Sequence, residues 1–200
     1  LESRDLRHVK TVAEIAAYVR ELAARRPKGE WITARNWDQT NWGGKFPTLD
    51  ALTRAAPDHP VYLVRVDGHA AWVNRKAMEM AGLTVSTKDP PGGRIVRDPK
   101  GTPTGVLVDR AMGLVSKAIP APPAEQIKRW LALAARECAR LGLTTVHDAG
   151  AGTHPVDRAR LDSLDIAEAV AIATAQLERG AHINRSTSVR IVVSTVVIKR

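Results

Sequence analysis

Val61-Tyr-Leu-Val-Arg-Val-Asp-Gly-His-Ala-Ala-Trp-Val-Asn74 decides how this chain is read. Val61 to Val66 is a short apolar run rich in β-branched residues, punctuated by Asp58, Pro60 and Gly68, and it predicts a buried strand. Such a strand delivers Asp67, Gly68 and His69 at its carboxyl end, where α/β proteins assemble their sites. Asp67 and Gly68 also suit a plain turn that His69 merely caps, since Asp-Gly is a common turn former. The residues alone leave both readings open.

Before the strand, Thr11 to Glu14 has the pattern of a helix-capping box, and Val12, Ile15, Ala16, Val19, Leu22 and Ala23 recur at helical spacing up to Arg26-Pro27. Trp31 to Ala34 predicts a short strand with Arg35, Asn36, Trp37 and Asp38 at its far end. Thr48 is placed to cap a helix running through Ala55. After His69, the spacing of Trp72, Val73, Ala77, Met80 and Ala81 predicts a helix that ends at Gly82.

Gly93 to Asp98 and Pro103 to Leu107, joined by Pro99-Lys100-Gly101, predict a hairpin standing off the main sheet. A helix over 108–117, a proline linker over 120–123 and an amphipathic helix over 124–141 come next. Leu143 to Val146 predicts a strand with His147 and Asp148 at its carboxyl end. That pair could bind metal, exchange protons or only tie the loop. A helix over 156–179 and a strand over 189–198 complete the pattern.

Composition narrows the function classes. The chain has 200 residues, 44% of them hydrophobic, enough for one sizeable core or a large part of a bigger one. Thirty basic against 21 acidic residues give +9. The excess is scattered over apparent helix ends, and the 4% aromatic residues do not interleave with it, which argues against nucleic acid. Cys138 is the only cysteine, so no internal disulfide forms; a buried structural thiol in a reducing, cytoplasmic setting is expected. No apolar run approaches the roughly 20 residues of a membrane span, and nothing at the amino end looks like a signal peptide. Phosphate-cradling glycine loops, a nucleophile elbow, Cys-x-x-Cys and His-x-His are all missing.

A succession of short motifs does stand out: Gly29-Glu30-Trp31-Ile32, Asn36-Trp37-Asp38, Phe46-Pro47 with Leu49-Asp50, Pro57 to Val61, Asp67-Gly68-His69-Ala70 with Asn74, Pro91 to Ile95, Gly101 to Leu107, and Gly142 to Gly150. In this order and spacing the chain closely resembles amidohydrolase family 3 over about residues 1–152. The resemblance implies an α/β fold, a partial (β/α)8 barrel with an inserted β-hairpin. It also implies hydrolysis of amide-type, non-peptide carbon–nitrogen bonds in a small-molecule amide substrate. The superfamily uses a divalent metal, zinc by expectation, to bring water's pKa towards about 7.

The family's His-x-His and later metal ligands have no counterpart here, so an internal segment, inactive alone and holding no tightly bound metal, is expected. Asn36 stands where the family usually has glycine, and the resemblance is lost over 153–200. Asp67, His69, Asn74, His147 and Asp148 are the expected site residues, with Trp37 and Arg65 behind them in pocket-lining and supporting roles. His69 and His147 are expected on one face of a parallel sheet. An exposed sheet edge is expected to favour a homo-oligomer. The alternative from another class is a noncatalytic basic module that binds an acidic partner.

Overall fold

The computed structural model describes residues 5–141, 145–148 and 190–193. The chain divides into two compact units, one of residues 2–120 and one from residue 121 onward. The sequence boundary at residues 152–153 and the helix expected over 156–179 lie outside the described residues.

The first unit is a mixed α/β sandwich around five strands in the order β1-β2-β3-β5-β4. α1 (Val12–Ala24) starts where Thr11 Oγ1 accepts the Glu14 N–H at 3.2 Å, while a Glu14 carboxylate oxygen accepts the Lys10 N–H at 3.1 Å. It stops short of Pro27, which cannot continue a helix. β1 (Ile32–Trp37) is followed by a single 3-10 turn and α2 (Leu49–Ala55), and then by β2 (Val61–Arg65), parallel to β1.

β1 carries a bulge between Arg35 and Trp37, and Asn36 sits in it at φ +72°. This left-handed conformation explains why glycine is expected there. Asparagine is among the few other residues that adopt it readily, and its side-chain N–H donates to Asp5 Oδ1 at 3.0 Å.

The stretch after His69 departs from the sequence expectation. Ala70–Val73 is strand β3, antiparallel to β2 in the register Leu63↔Trp72, and helix α3 (Arg75–Met80) begins only after Asn74. All four β3 residues are buried because both sheet faces are covered, so the alternation that marks a strand is absent and the run mimics a helix face. β4 (Gly93–Arg97) and β5 (Pro103–Asp109) do form the expected hairpin. They do not stand off the sheet, however: β5 pairs with β3 and joins β4 to it. α4 spans only Met112–Ser116, because β5 extends to Asp109.

Alternate residues feed two cores. Val61 and Leu63, Ala70 and Trp72, and Val106 pack with Ile15 and Val19 of α1 and Leu52 of α2. Tyr62, Ala71, Val73 and Leu107 pack on the opposite face with Ala77 and Met78 of α3 and Val115 of α4. Trp37 is fully buried at the centre of the first core, stacked on Trp42 at 6.2 Å between ring centroids and edge-on to Trp72 and Phe46. Its indole N–H donates to the Leu63 carbonyl at 2.8 Å.

The second unit contributes α5 (Ala124–Arg140), β6 (Thr145–Asp148) and β7 (Arg190–Val193), the last two paired in parallel. Cys138 is half-buried, not the buried thiol expected. Among the described residues no helix is long and apolar enough to cross a membrane.

Asn74 is 0% exposed and uses its whole amide. Its Oδ1 accepts the Val61 N–H at 2.9 Å and the Ala77 N–H at 3.0 Å, and its Nδ2 donates to the Ala56 and His59 carbonyls at 3.0 and 2.8 Å. Asn74→Ala strips the Val61 and Ala77 N–H groups and the His59 carbonyl of their partner, leaves the Ala56 carbonyl only the His59 N–H at 3.4 Å, and is expected to cost about 3 kcal/mol, read as a fall in the urea midpoint. At Gly105, φ is +95° and an added Cβ would meet the Val73 carbonyl oxygen at 2.6 Å and Leu49 Cβ at 2.7 Å. Gly101 has φ +83° but open space around it. Gly105→Ala is therefore expected to destabilise by about 2 kcal/mol more than Gly101→Ala, which carries the backbone cost alone, with both compared by thermal melting.

Candidate functional site

The polar side chains that converge do so at the tip of the β2–β3 hairpin. Residues 66–69 connect the strands, and Gly68, at φ +78°, donates its N–H to the Arg65 carbonyl at 3.0 Å. Only a residue free of a Cβ takes this turn without strain. The turn brings Asp67 back over Arg65. Arg65 Nε donates to Asp67 Oδ1 at 2.8 Å and its Nη2 to Asp67 Oδ2, while Oδ1 also accepts the His69 N–H at 3.0 Å. The bidentate guanidinium, with help from that backbone amide, holds the Asp67 carboxyl down at about 2. Asp67 in turn raises the Arg65 pKa, so the two remain an ion pair through the neutral range. Arg65 also lies over the Phe46 ring, 5.6 Å from its centroid.

His69 faces a partner 40 residues away. Its Nδ1 lies 2.8 Å from Asp109 Oδ1, and the Asp109 N–H donates to the His69 carbonyl at 2.9 Å. Asp109 ends β5 in the left-handed region, at φ +49°, which aspartate tolerates better than most residues. The imidazole and carboxylate are 70% and 50% exposed. An imidazole fixed through Nδ1 by a carboxylate is oriented and has its second nitrogen available, and among the described residues that nitrogen makes no hydrogen bond. Such a pair can hydrogen-bond or exchange a proton with a bound molecule.

The expected site residues thus separate. Asp67, His69 and Arg65 come together at the carboxyl end of β2, which is parallel to β1, where the chain turns back into the antiparallel β3. Asn74 lies at the other end of β3, buried and committed to four backbone groups, so it is a structural tie and does not line a pocket. Trp37 is buried core. His147 and Asp148 fall within β6, in register with Val192 and Val193, in the other unit from His69. Asp109 is the residue that sequence reasoning missed. With the strand read as ending at Leu107 it belonged to a helix, and only the β3–β5 register, Ala70↔Val108, brings it to His69.

Among the described residues no group of three His, Cys, Asp or Glu could hold a metal ion. The chemistry of the hairpin tip agrees: both Asp67 oxygens are taken by Arg65, and Asp109 is engaged with His69. The described side chains do not fit a metal centre.

Comparison with known proteins identifies the family. The chain is 36% identical over 145 residues to Protein LONG AFTER FAR-RED 3 of Arabidopsis thaliana, covering 72% of this chain and 25% of that protein. It is 36% identical over 148 residues to the putative amidohydrolase YtcJ of Bacillus subtilis (strain 168), covering 72% and 27%. It is 30% identical over 109 residues to N-substituted formamide deformylase of Arthrobacter pascens, covering 54% and 20%. The chain therefore spans about a quarter of the length of the curated relatives it matches. In fold it is similar to an uncharacterized metal-dependent hydrolase from Pyrococcus horikoshii, with TM-score 0.52 and 22% identity, covering 96% of this chain and 32% of that one. A counterpart from Pyrococcus furiosus gives 0.53 and 23%, covering 96% and 33%. The model of the amidohydrolase family matches residues 2–184, and the chain belongs to that family.

Proposed function

We propose that this chain works as one segment of a longer metal-dependent hydrolase that cleaves amide-type, non-peptide carbon–nitrogen bonds in small molecules. The family match over residues 2–184 carries the reading. The relative that deformylates N-substituted formamides supports the substrate class, and the short span of the relatives covered supports the segment. Among the described residues no group supplies the ligands of a metal centre, so the metal of that enzyme would be held by residues beyond them. The parallel pairs β1–β2 and β6–β7 support a share in a (β/α)8 barrel. A lone cysteine fits a reducing compartment such as the cytoplasm.

Within that enzyme the hairpin tip lines the substrate site. His69 presents its second ring nitrogen as a hydrogen-bonding group, Asp109 fixes the ring, and the Arg65–Asp67 ion pair holds the turn that carries it. Asn74 supports the site from a distance by fixing where β2 and α3 begin.

Sequencing the genomic DNA on both sides and expressing the longer reading frame tests the proposal. The longer protein is expected to hydrolyse N-substituted formamides or similar small amides when supplied with a divalent metal. His69→Ala is expected to lower kcat/KM about tenfold, the scale of one lost hydrogen bond of about 1.4 kcal/mol, with the urea midpoint unchanged. A reading frame that stops at both ends of this chain sinks the segment. A longer protein without amide hydrolysis sinks the activity, and full activity in His69→Ala sinks the placement of the hairpin tip.

A further inference from the structure

The exposed turn over residues 66–69 holds Asp67–Gly68, the one place in the chain where an aspartate or asparagine is followed by glycine. Such a pair carries an intrinsic reaction. The Gly68 nitrogen attacks Asp67 Cγ, a nitrogen–carbon bond forms, and the amide proton and the carboxyl hydroxyl leave together as water, closing a succinimide ring. Water then reopens the ring at either carbonyl. Breaking the bond from nitrogen to Cγ restores aspartate, whereas breaking the bond from nitrogen to the main-chain carbonyl leaves isoaspartate, with the chain running through Cβ and Cγ. Glycine favours the attack because no side chain shields its nitrogen. Asp89 and Asp98 precede prolines, whose nitrogen has no hydrogen to lose, and every other aspartate precedes a residue with a side chain.

Both reacting groups are engaged here. The Gly68 N–H donates to the Arg65 carbonyl at 3.0 Å. Asp67 Oδ1 accepts Arg65 Nε at 2.8 Å and the His69 N–H at 3.0 Å, and Oδ2 accepts Arg65 Nη2. Closing the ring draws Cγ to bonding distance of the Gly68 nitrogen, which pulls the carboxylate off this fork and removes the charge that the fork binds. The guanidinium also holds the Asp67 carboxyl down at about 2, so little of the neutral acid, whose hydroxyl can leave, is present at neutral pH. Arg65 is itself placed, 5.6 Å from the centroid of the Phe46 ring with its side chain 21% exposed.

We propose that Asp67–Gly68 is a latent isoaspartate site, kept as aspartate by the Arg65 guanidinium. Isoaspartate would lengthen the main chain by one carbon in the turn that joins β2 to β3 and shorten the side group to a bare carboxylate. Neither the fork on Arg65 nor the alignment of His69 with Asp109 would survive that change intact. The inference is independent of the hydrolase reading.

The purified chain and its Arg65→Met and Asp109→Ala variants are aged at neutral pH, with urea midpoints measured to establish that each is folded. Isoaspartate is read by chromatography and fragmentation of the peptide carrying Asp67, and by methyl transfer from S-adenosylmethionine with an isoaspartyl methyltransferase. The chain unfolded in guanidinium chloride gives the unprotected rate. Each unit by which the carboxyl pKa rises multiplies its neutral form about tenfold, so Arg65→Met is expected to isomerise about fivefold faster than the unmodified chain, or more. Asp109→Ala frees His69 at the same tip without touching the fork, and is expected to keep the unmodified rate. An unchanged rate in Arg65→Met overturns the inference, as do equal acceleration in both variants and isoaspartate that arises first at another residue. If Arg65→Met does not fold, Arg65→Lys decides by the same readings, since lysine keeps the charge but not the two-pronged grip.

Discussion

One buried side-chain amide fixes the geometry on which the rest of the first unit depends. Asn74 joins the end of α2, the turn before β2, the first residue of β2 and the first turn of α3 through four hydrogen bonds. Its position opposite Val61 continues the β2–β3 ladder by one step, using a side chain in place of backbone. A slip of one residue in that ladder would exchange Trp72 with Ala71 or Val73 between the two faces. Neither core could absorb the change, because one is built around the Trp37–Trp72 contact and the other already packs Ala71 and Val73 against Tyr62, Met78 and Val115. The amide thus acts as a register pin at the open end of the hairpin, away from its turn.

The opposite end of the same hairpin is built on another principle. Its groups are polar and tied mainly to one another, with Asp67, His69 and Asp109 exposed and Arg65 half-buried over Phe46. Exposed ion pairs stabilise little, so these contacts matter for where they hold side chains more than for how strongly they hold the fold. The result is a strand pair inside the sheet with its structural tie at one end and its polar cluster at the other.

How legible this was in the sequence depended on how local each determinant is. Thr11 and Glu14, three residues apart, marked the start of α1, and the turn residues 98–102 marked the β4–β5 hairpin. The family was legible from short motifs in a fixed order. β3 was not, because a four-residue strand covered on both faces has no alternation to show. Asp109 was not, because its partnership with His69 exists only through the pairing of β5 with β3. Asn74 was noticed for its place in a motif, yet whether a polar residue lines a pocket or is buried depends on what surrounds it. The chemistry of a side chain is written in the sequence, but its environment is made by distant segments.

The mixed order of the sheet carries a consequence for how the chain comes together. β2 and β3 are separated by four residues, 66–69, and β4 and β5 by five, 98–102, so each pair closes a short loop at small entropic cost. β1 must meet β2 across residues 38–60, and β3 must meet β5 across 74–102. The two hairpins are therefore the local units, and the sheet is completed by docking one against the other along β3 and β5. The His69–Asp109 pair spans that seam. It depends on that long-range pairing, so the chain holds its candidate pair together only where the two hairpins are docked.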